Sequence, residues 1–246
     1  MIPFLVALGF IIHAWTQVEE PVYQGKRLST WLDDSHWTNG GQTVLSSAAT
    51  QAVQALGTNA LPYLVHMMQA RDSKLEIYTA IYVYRFLHIQ TPLRSADCQR
   101  AAFGFYALGP TAKPAYPELV KLVLAADGKG WVAGVFRDDA DTIALLADGL
   151  HSPDVKVRRR AAMAFGYFQK TPTVCIPALT QALNDRDTQV QMWAAAWLGH
   201  YGPAAKSATP ALAQLTNSAD SMVRIMATQA LRDINDTFTN PPATQE

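Results

Sequence analysis

From about residue 140 onward, apolar and small residues recur along the chain with a step of 33. Val157, Val190 and Val223 correspond, as do Ala161, Ala194 and Ala227, then Ala164, Trp197 and Ala230, then Phe165, Leu198 and Leu231. The same step carries Leu146 to Leu179 to Leu212, and Asp154 to Asp187 to Asp220. A fixed period of this length decides the architecture before any single motif is interpreted. Within a step the apolar positions follow helical spacing, and no strand signal interrupts them. Over residues 174–202 the pattern predicts a first helix with Pro177 in its first turn and Leu179 and Leu183 on its apolar face. A turn at Asn184 to Asp187 and a second helix from Thr188, stopping near Gly199 and Gly202, complete the unit. The next unit repeats the scheme: Thr209 before Pro210, Leu212 and Leu215 inside, and Asp220 opening a helix from Val223 to Ile234. Two short antiparallel helices per repeat predict an all-α fold of the α-solenoid type.

Earlier copies are looser. QRAAFGFYALG (Gln99 to Gly109) and AATQAVQALG (Ala48 to Gly57) both end in Ala-Leu-Gly, with Pro117 and Pro62 following. Neither the step from Pro62 to Pro117 nor that from Pro117 to Pro177 is a whole multiple of the period. An extra helical piece such as Leu75 to Ile89 is therefore expected in the first gap, and a shortened unit around Gly130 to Asp139 in the second. Regular stacking begins near Ala140. Ahead of the array, PVYQGKRLSTWLDDSHWTNGGQ predicts a short helix capped by Ser29, carrying Leu28, Trp31 and Leu32 on one side and broken by Gly40 and Gly41. Its apolar residues suit the cover that the end of a repeat stack needs.

The first residues, MIPFLVALGFIIHAWTQVEE, hold an apolar run from Ile2 to Ile12 that is too short for a bilayer core of roughly 30 Å. It is expected to be a secretory h-region, although no Lys or Arg precedes it and no A-x-A site follows, and the alternative is a short buried or interfacial first helix. The expected organisation is an N-terminal apolar segment at 1–16, a capping segment at 17–44, the repeat array at 45–236 and a frayed tail at 237–246. Export to the periplasm or exterior is the expected localisation, and the membrane is expected as a partner only through the N-terminal segment.

Composition narrows the function. Twenty basic and 20 acidic side chains give a net charge of zero, and 49% of residues are hydrophobic. That balance supplies a packed core but not the clustered positive charge that holds a polyanion. Cys98 and Cys175 are too few and too far apart for a disulfide framework. The six histidines fall in no H-x-x-x-H pattern, there is no C-x-x-C, and no glycine-rich loop follows a strand, so no catalytic residue, metal site or cofactor is expected. Asp138, Asp139 and Asp141 form the one dense carboxylate group and suit a turn that caps the next helix better than a cation site.

A leucine helix, an Asp in the turn, then V-R-x-x-A-x-x-A-L-G resembles the HEAT repeat family, including its bacterial branch named after phycobilisome lyases. The resemblance spans roughly residues 45–236 and is strongest in the last three units. P-x-Y-x-G-K-x-L-S-x-W-L also looks like the segment that precedes HEAT arrays in some exported bacterial proteins. The resemblance implies a superhelix of antiparallel helix pairs acting as a binding platform, with the second helix of each pair on the concave side. It also implies mutual support between neighbouring units by Asp154, Asp187 and Asp220 with Arg158 and Arg224, a ladder from which Gln191 departs. An accessory or lyase-like protein acting on a bound chromophore or small molecule is the alternative it suggests. The His-Glu pairs of the HEAT-built di-iron hydroxylase are absent from this sequence.

The core positions 157, 161, 164, 165 and 168 share one face of the second helix, so the opposite face centres on 159 and 163. Its occupants are Arg159 and Met163, Met192 and Ala196, then Ile225 and Gln229, with Trp193 and Met226 beside them. Met192 and Ile225 are apolar where water is expected. These eight residues are the candidate binding stripe, and Met suits a surface that adapts to its partner. The alternative is that packing between units buries them. Arg158, Arg159 and Arg160 fan around the helix, and only Arg159 and Arg160 reach this side. Because Met192 and Ile225 replace Arg159 in later units, the basic feature does not continue as it does in HEAT-like DNA glycosylases, and nucleic acid is not the expected partner. A protein or peptide of unknown identity is.

Overall fold

The computed structural model describes residues 18–37, 43–70, 77–78, 81–82, 84–85, 88, 95–125, 130–136, 139–168 and 170–235. The expected secretory segment, Gly40, Gly41, Asp138 and the tail from 237 lie outside the described residues. The chain divides into two compact units, one ending at Ala115 and one starting at Tyr116.

In the first unit, β1 (Val22–Tyr23) and β2 (Lys26–Arg27) form a hairpin. Gln24 and Gly25 close it at φ 49° and 74°, the paired positive φ values that a two-residue hairpin matched to strand twist demands. The following helix, α1 (Leu28–Leu32), buries Leu28, Trp31 and Leu32 as the apolar spacing predicts. Ser29 does not cap it. The helix starts one residue earlier, and the Ser29 amide, already inside the first turn, donates to Glu20 Oε1 at 2.7 Å, so a carboxylate nine residues upstream supplies the acceptor. β3 (Ser35–Trp37) and β4 (Thr43–Leu45) pair antiparallel, with His36 opposite Val44.

Ser46 caps α2 (Ser47–Leu56) by accepting from the Ala49 amide, and Gly57 ends it at φ 56°. A 3-10 turn, Gly57–Ala60, leads into α3 (Leu61–Gln69), with Pro62 in its first turn. Both helices pack on α4 (Ser95–Leu108), where Gly104 lies under the methyls of Leu64 and Leu32. Gly109, again at positive φ, opens the 3-10 segment Gly109–Ala115. Of the extra helix expected at Leu75 to Ile89, residues 77–78, 81–82 and 84–85 are helical, and most of the rest lies outside the described residues.

The second unit carries the regular stack. After α5 (Tyr116–Leu124), the shortened piece expected near Gly130 is a 3-10 segment, Gly130–Phe136. Three helix pairs follow: α6 (Ala140–Leu150) with α7 (Val155–Ala164), α8 (Pro172–Ala182) with α9 (Thr188–His200), and α10 (Thr209–Leu215) with α11 (Ser221–Asn235). First helices pack in one layer, α6 against α8; second helices form another, α7 against α9 against α11. Leu146, Leu179 and Leu212 of the first helices and Ala161, Ala194 and Ala227 of the second are all fully buried. What recurs from unit to unit is thus the interior. Alanine recurs because neighbouring second helices approach too closely for a larger side chain. This is the all-α architecture of stacked antiparallel pairs.

Helix starts differ between units. Pro177 does not open α8, which begins five residues earlier at Pro172 and carries Pro177 inside. The equivalent Pro210 does sit in the first turn of α10, because the 3-10 segment Gly202–Ala208, entered at Gly202 with φ 54°, replaces the preceding turn. Asp139 caps α6 by accepting from the amide and hydroxyl of Thr142, which explains its carboxylate. Cys98 and Cys175 are buried thiols, and Cys98 Sγ lies 3.5 Å from the carbonyl oxygens of Met67 and Met68.

Candidate functional site

Each second helix of the stack begins with an aspartate whose carboxylate accepts from the helix's own first amides. Asp154 accepts from Lys156, Asp187 from Gln189 and Val190, and Asp220 from Met222 and Val223. These orphan amides exist in any helix, so the repeated aspartate is a capping residue before it is anything else. Hydrogen bonds from Val223 and Met222 hold the Asp220 carboxyl below its ordinary value, against the cost of desolvation.

Four residues into the helix a long donor reaches back to the turn. Arg158 Nη1 donates to Ser152 O at 3.0 Å, Gln191 Nε2 to Asp185 O at 2.8 Å, and Arg224 Nη1 to Ser218 O at 2.7 Å. Donors and acceptors alike are one repeat apart. Gln191 thus keeps the bond to its own turn carbonyl, but a neutral carboxamide cannot supply the charged aspartate–arginine support between units, so that ladder is interrupted there.

The expected pairing of Arg158 with the capping aspartates is not what forms. Arg158 Nε and Nη2 bind both oxygens of Asp185 at 2.7 and 3.1 Å, while Arg159 takes Asp187, with Nε at 2.9 Å from Oδ1 and Nη2 at 2.5 Å from Oδ2. Arg158 is already turned toward its own loop, and Asp185 lies beside that path; Arg159 projects one residue on, over the start of α9. This guanidinium, helped by the cap amides, holds the Asp187 carboxyl below the usual range. Arg160 points back, donating to Leu124 O at 2.9 Å. All three arginines are thus consumed inside the unit.

The open surface of the second-helix layer lies on the stripe i, i+3, i+4, i+7 of each helix. On α7 it reads Lys156, Arg159, Arg160, Met163; on α9, Gln189, Met192, Trp193, Ala196; on α11, Met222, Ile225, Met226, Gln229. Met163, Met192, Trp193, Ala196 and Met226 are half-buried, whereas Ile225 is 54% and Met222 48% exposed. Gln229 is exposed and donates to Asp233 at 2.8 Å. The eight sequence-predicted residues do share one face of three stacked helices, with Arg159 drawn aside into its ion pair.

Three neighbours were not anticipated. Trp197 reads from the sequence as a core position like Ala164 and Ala230, yet it is only half-buried, stacked on Trp193 with ring centres 5.7 Å apart and an interplanar angle of 13°. Its indole Nε1 donates to Ala162 O at 3.0 Å, and its ring lies against Gly166, where a Cβ would come within 2.3 Å of it. Tyr167 is 45% exposed, and Met222 occupies the register of Lys156 and Gln189. Extending the repeat step to the flanking positions would have revealed these last two. Among the described residues no group of His, Cys, Asp and Glu is arranged to hold a metal ion, and no helix is long and apolar enough to cross a membrane. What the face offers is exposed thioether, aliphatic and indole surface.

Residues 143–232 match the family model described as HEAT repeats. Comparison with curated proteins returns no match. Among solved structures, an engineered protein is 20% identical, covering 84% of this chain and 96% of its own at a TM-score of 0.38. A designed armadillo repeat protein in complex with the peptide (KR)4 is 19% identical, covering 76% of this chain and 99% of its own at a TM-score of 0.39.

Proposed function

We propose that the protein is a non-enzymatic binding scaffold or adaptor whose partner, a protein or peptide, docks noncovalently on the stripe formed by α7, α9 and α11. The observation that carries this reading is the pair Met222 and Ile225, large apolar side chains about half exposed and one helical turn apart, continuous with half-buried Met192, Trp193 and Met226. Apolar surface left open on neighbouring helices gains from being covered, and methionine and tryptophan supply contact area at an adaptable or anchoring site. The apolar run from Ile2 to Ile12 supports a place of action outside the cytoplasm.

Affinity capture with the chain and with a Met192→Asp, Ile225→Asp double variant, both shown folded by circular dichroism, tests the reading. A partner retained only by the unaltered protein is the expected result. Equal retention by both would move binding off this stripe, and a co-purifying coloured small molecule in place of a polypeptide would favour a chromophore-handling role.

A further inference from the structure

The extra helical stretch of the first unit carries a surface that the second-helix stripe does not explain. Its helical residues Ile77, Tyr78, Ile81, Tyr82, Tyr84 and Arg85 are all exposed, the apolar and aromatic ones between 38% and 69%. Five of the twelve large hydrophobic side chains exposed among the described residues are gathered here, so the opening is concentrated rather than scattered. The His88 N–H donates to Tyr84 O at 3.0 Å, and His88 turns left-handed at φ 55°, where helices commonly end. At 100° per residue the six helical positions fall within an arc of about 160°, in the order Tyr84, Ile77, Ile81, Arg85, Tyr78, Tyr82. Isoleucine lies within the arc, and tyrosine bounds it on both sides.

A tyrosine joins an apolar ring to a hydroxyl that stays wet, which suits the boundary between hydrocarbon and polar headgroups. An apolar band edged by such rings is the face of a helix that lies in a bilayer interface. Arg85 is the one charged residue of the six, and its stem can lie along apolar surface while the guanidinium turns up to a lipid phosphate. Residues 71–94 hold Arg71, Lys74, Arg85 and Arg94 against Asp72 and Glu76, a basic excess in a chain whose net charge is zero. Such an excess favours an anionic surface. Size argues against a protein partner, a second copy of this chain included. Residues 77 to 85 of a helix span about 12 Å and the helix is about 10 Å wide, a small fraction of the roughly 800 Å² per partner of a stable interface. Partition into a bilayer accumulates residue by residue and sets no such threshold. The geometry points to a membrane-contact site, in which this face lies in the headgroup boundary of an anionic lipid bilayer, isoleucines toward the acyl chains, tyrosine hydroxyls and Arg85 toward the headgroups. The contact is separate from the second-helix stripe and does not rest on it.

The test is flotation of the full chain with vesicles of phosphatidylcholine alone and of phosphatidylcholine with about one quarter phosphatidylglycerol. Binding to the anionic vesicles is expected, with weaker binding to the neutral ones. Because the chain also carries the apolar run from Ile2 to Ile12, variants locate the contact. An Ile81→Ser, Tyr82→Ser variant, its fold verified by circular dichroism, is expected to bind about tenfold more weakly, from the loss of two apolar side chains. Arg85→Gln is expected to lose about fivefold on anionic vesicles and nothing on neutral ones. Ile81→Trp is expected to bind more tightly than the parent, a gain no folding defect can imitate. Absence of binding to the anionic vesicles, or equal binding by the parent and the Ile81→Ser, Tyr82→Ser variant, would overturn the inference. A loss confined to Met192→Asp, Ile225→Asp would overturn it as well, by placing the lipid contact on the stripe. So would a polypeptide captured by the parent and lost by the Ile81→Ser, Tyr82→Ser variant without any vesicle binding, since the face would then serve a protein.

Discussion

The second helices of the stack carry two stripes under different rules. On the inner stripe Ala161, Ala194 and Ala227 are identical and fully buried. On the outer stripe the equivalent positions run from Arg159 to Met192 to Ile225, and from Arg160 to Trp193 to Met226. Inside, close approach of α7, α9 and α11 admits only a small side chain, so packing dictates the residue. Outside, close packing does not dictate it, and the residue type changes from repeat to repeat. The basic end of that stripe has been absorbed by Asp187 and the Leu124 carbonyl, whereas its apolar end stays open. The apolar part of that row, from Met192 and Trp193 to Met222, Ile225 and Met226, lies beside exposed Lys156, Gln189 and Gln229.

The strongest way to break this contrast is to place volume on the inner stripe. Ala194→Leu is expected to cost about 3 kcal/mol, because the added atoms have no room between helices; tolerance in a urea unfolding titration would mean the alanines are not dictated by packing. Next in size is the seam where α9 meets α7. Gly166→Ala puts a Cβ 2.3 Å from the Trp197 ring and is expected to cost about 2 kcal/mol. Replacing Trp197 by Phe in the same chain should recover part of that loss, and a double-mutant cycle without coupling would contradict the wedge.

Smaller still is the cap between units. Asp187→Ala removes the acceptor for the Gln189 and Val190 amides and is expected to cost about 1 kcal/mol at neutral pH. The carboxyl of Asp187 is held below its ordinary value of 3.8, chiefly by Arg159. A depressed folded value means that its stabilisation is fully present above the unfolded value and is lost as pH falls below it and through the folded value. Acid unfolding curves of the parent and of Asp187→Ala should therefore converge at low pH; a constant gap would show that the carboxylate's charge contributes nothing. The smallest effect belongs to the outer stripe, where Ile225→Ser should leave stability within about 0.5 kcal/mol. A larger loss would mean that this side chain serves the fold.

Much of the fold was legible because buried alanines and capping aspartates repeat where packing and unpaired amides force them to. The candidate stripe was legible as its complement. The fates of Arg158, Arg159 and Arg160 were not, since three adjacent arginines on one helix reach three partners 27, 28 and 36 residues away and local spacing says nothing of which. Trp197 was misplaced because it substitutes for alanine in the repeat; only the glycine opposite, Gly166, gives its ring a place at the surface of the seam. The hairpin at Gln24 and Gly25 was missed although Gln-Gly between two short extended pairs carries a turn signal.

The most direct test of the central claim is site-specific photo-crosslinking in the source cell. A benzophenone side chain would be placed at Ile225 on the outer stripe and, in a second chain, at exposed Pro210 on the first helix of the same pair. The account predicts one discrete polypeptide adduct from position 225, reduced by Met192→Asp, and none from position 210. Equal adducts from both positions, or an adduct from 225 that is indifferent to Met192→Asp, would contradict a binding surface on this stripe.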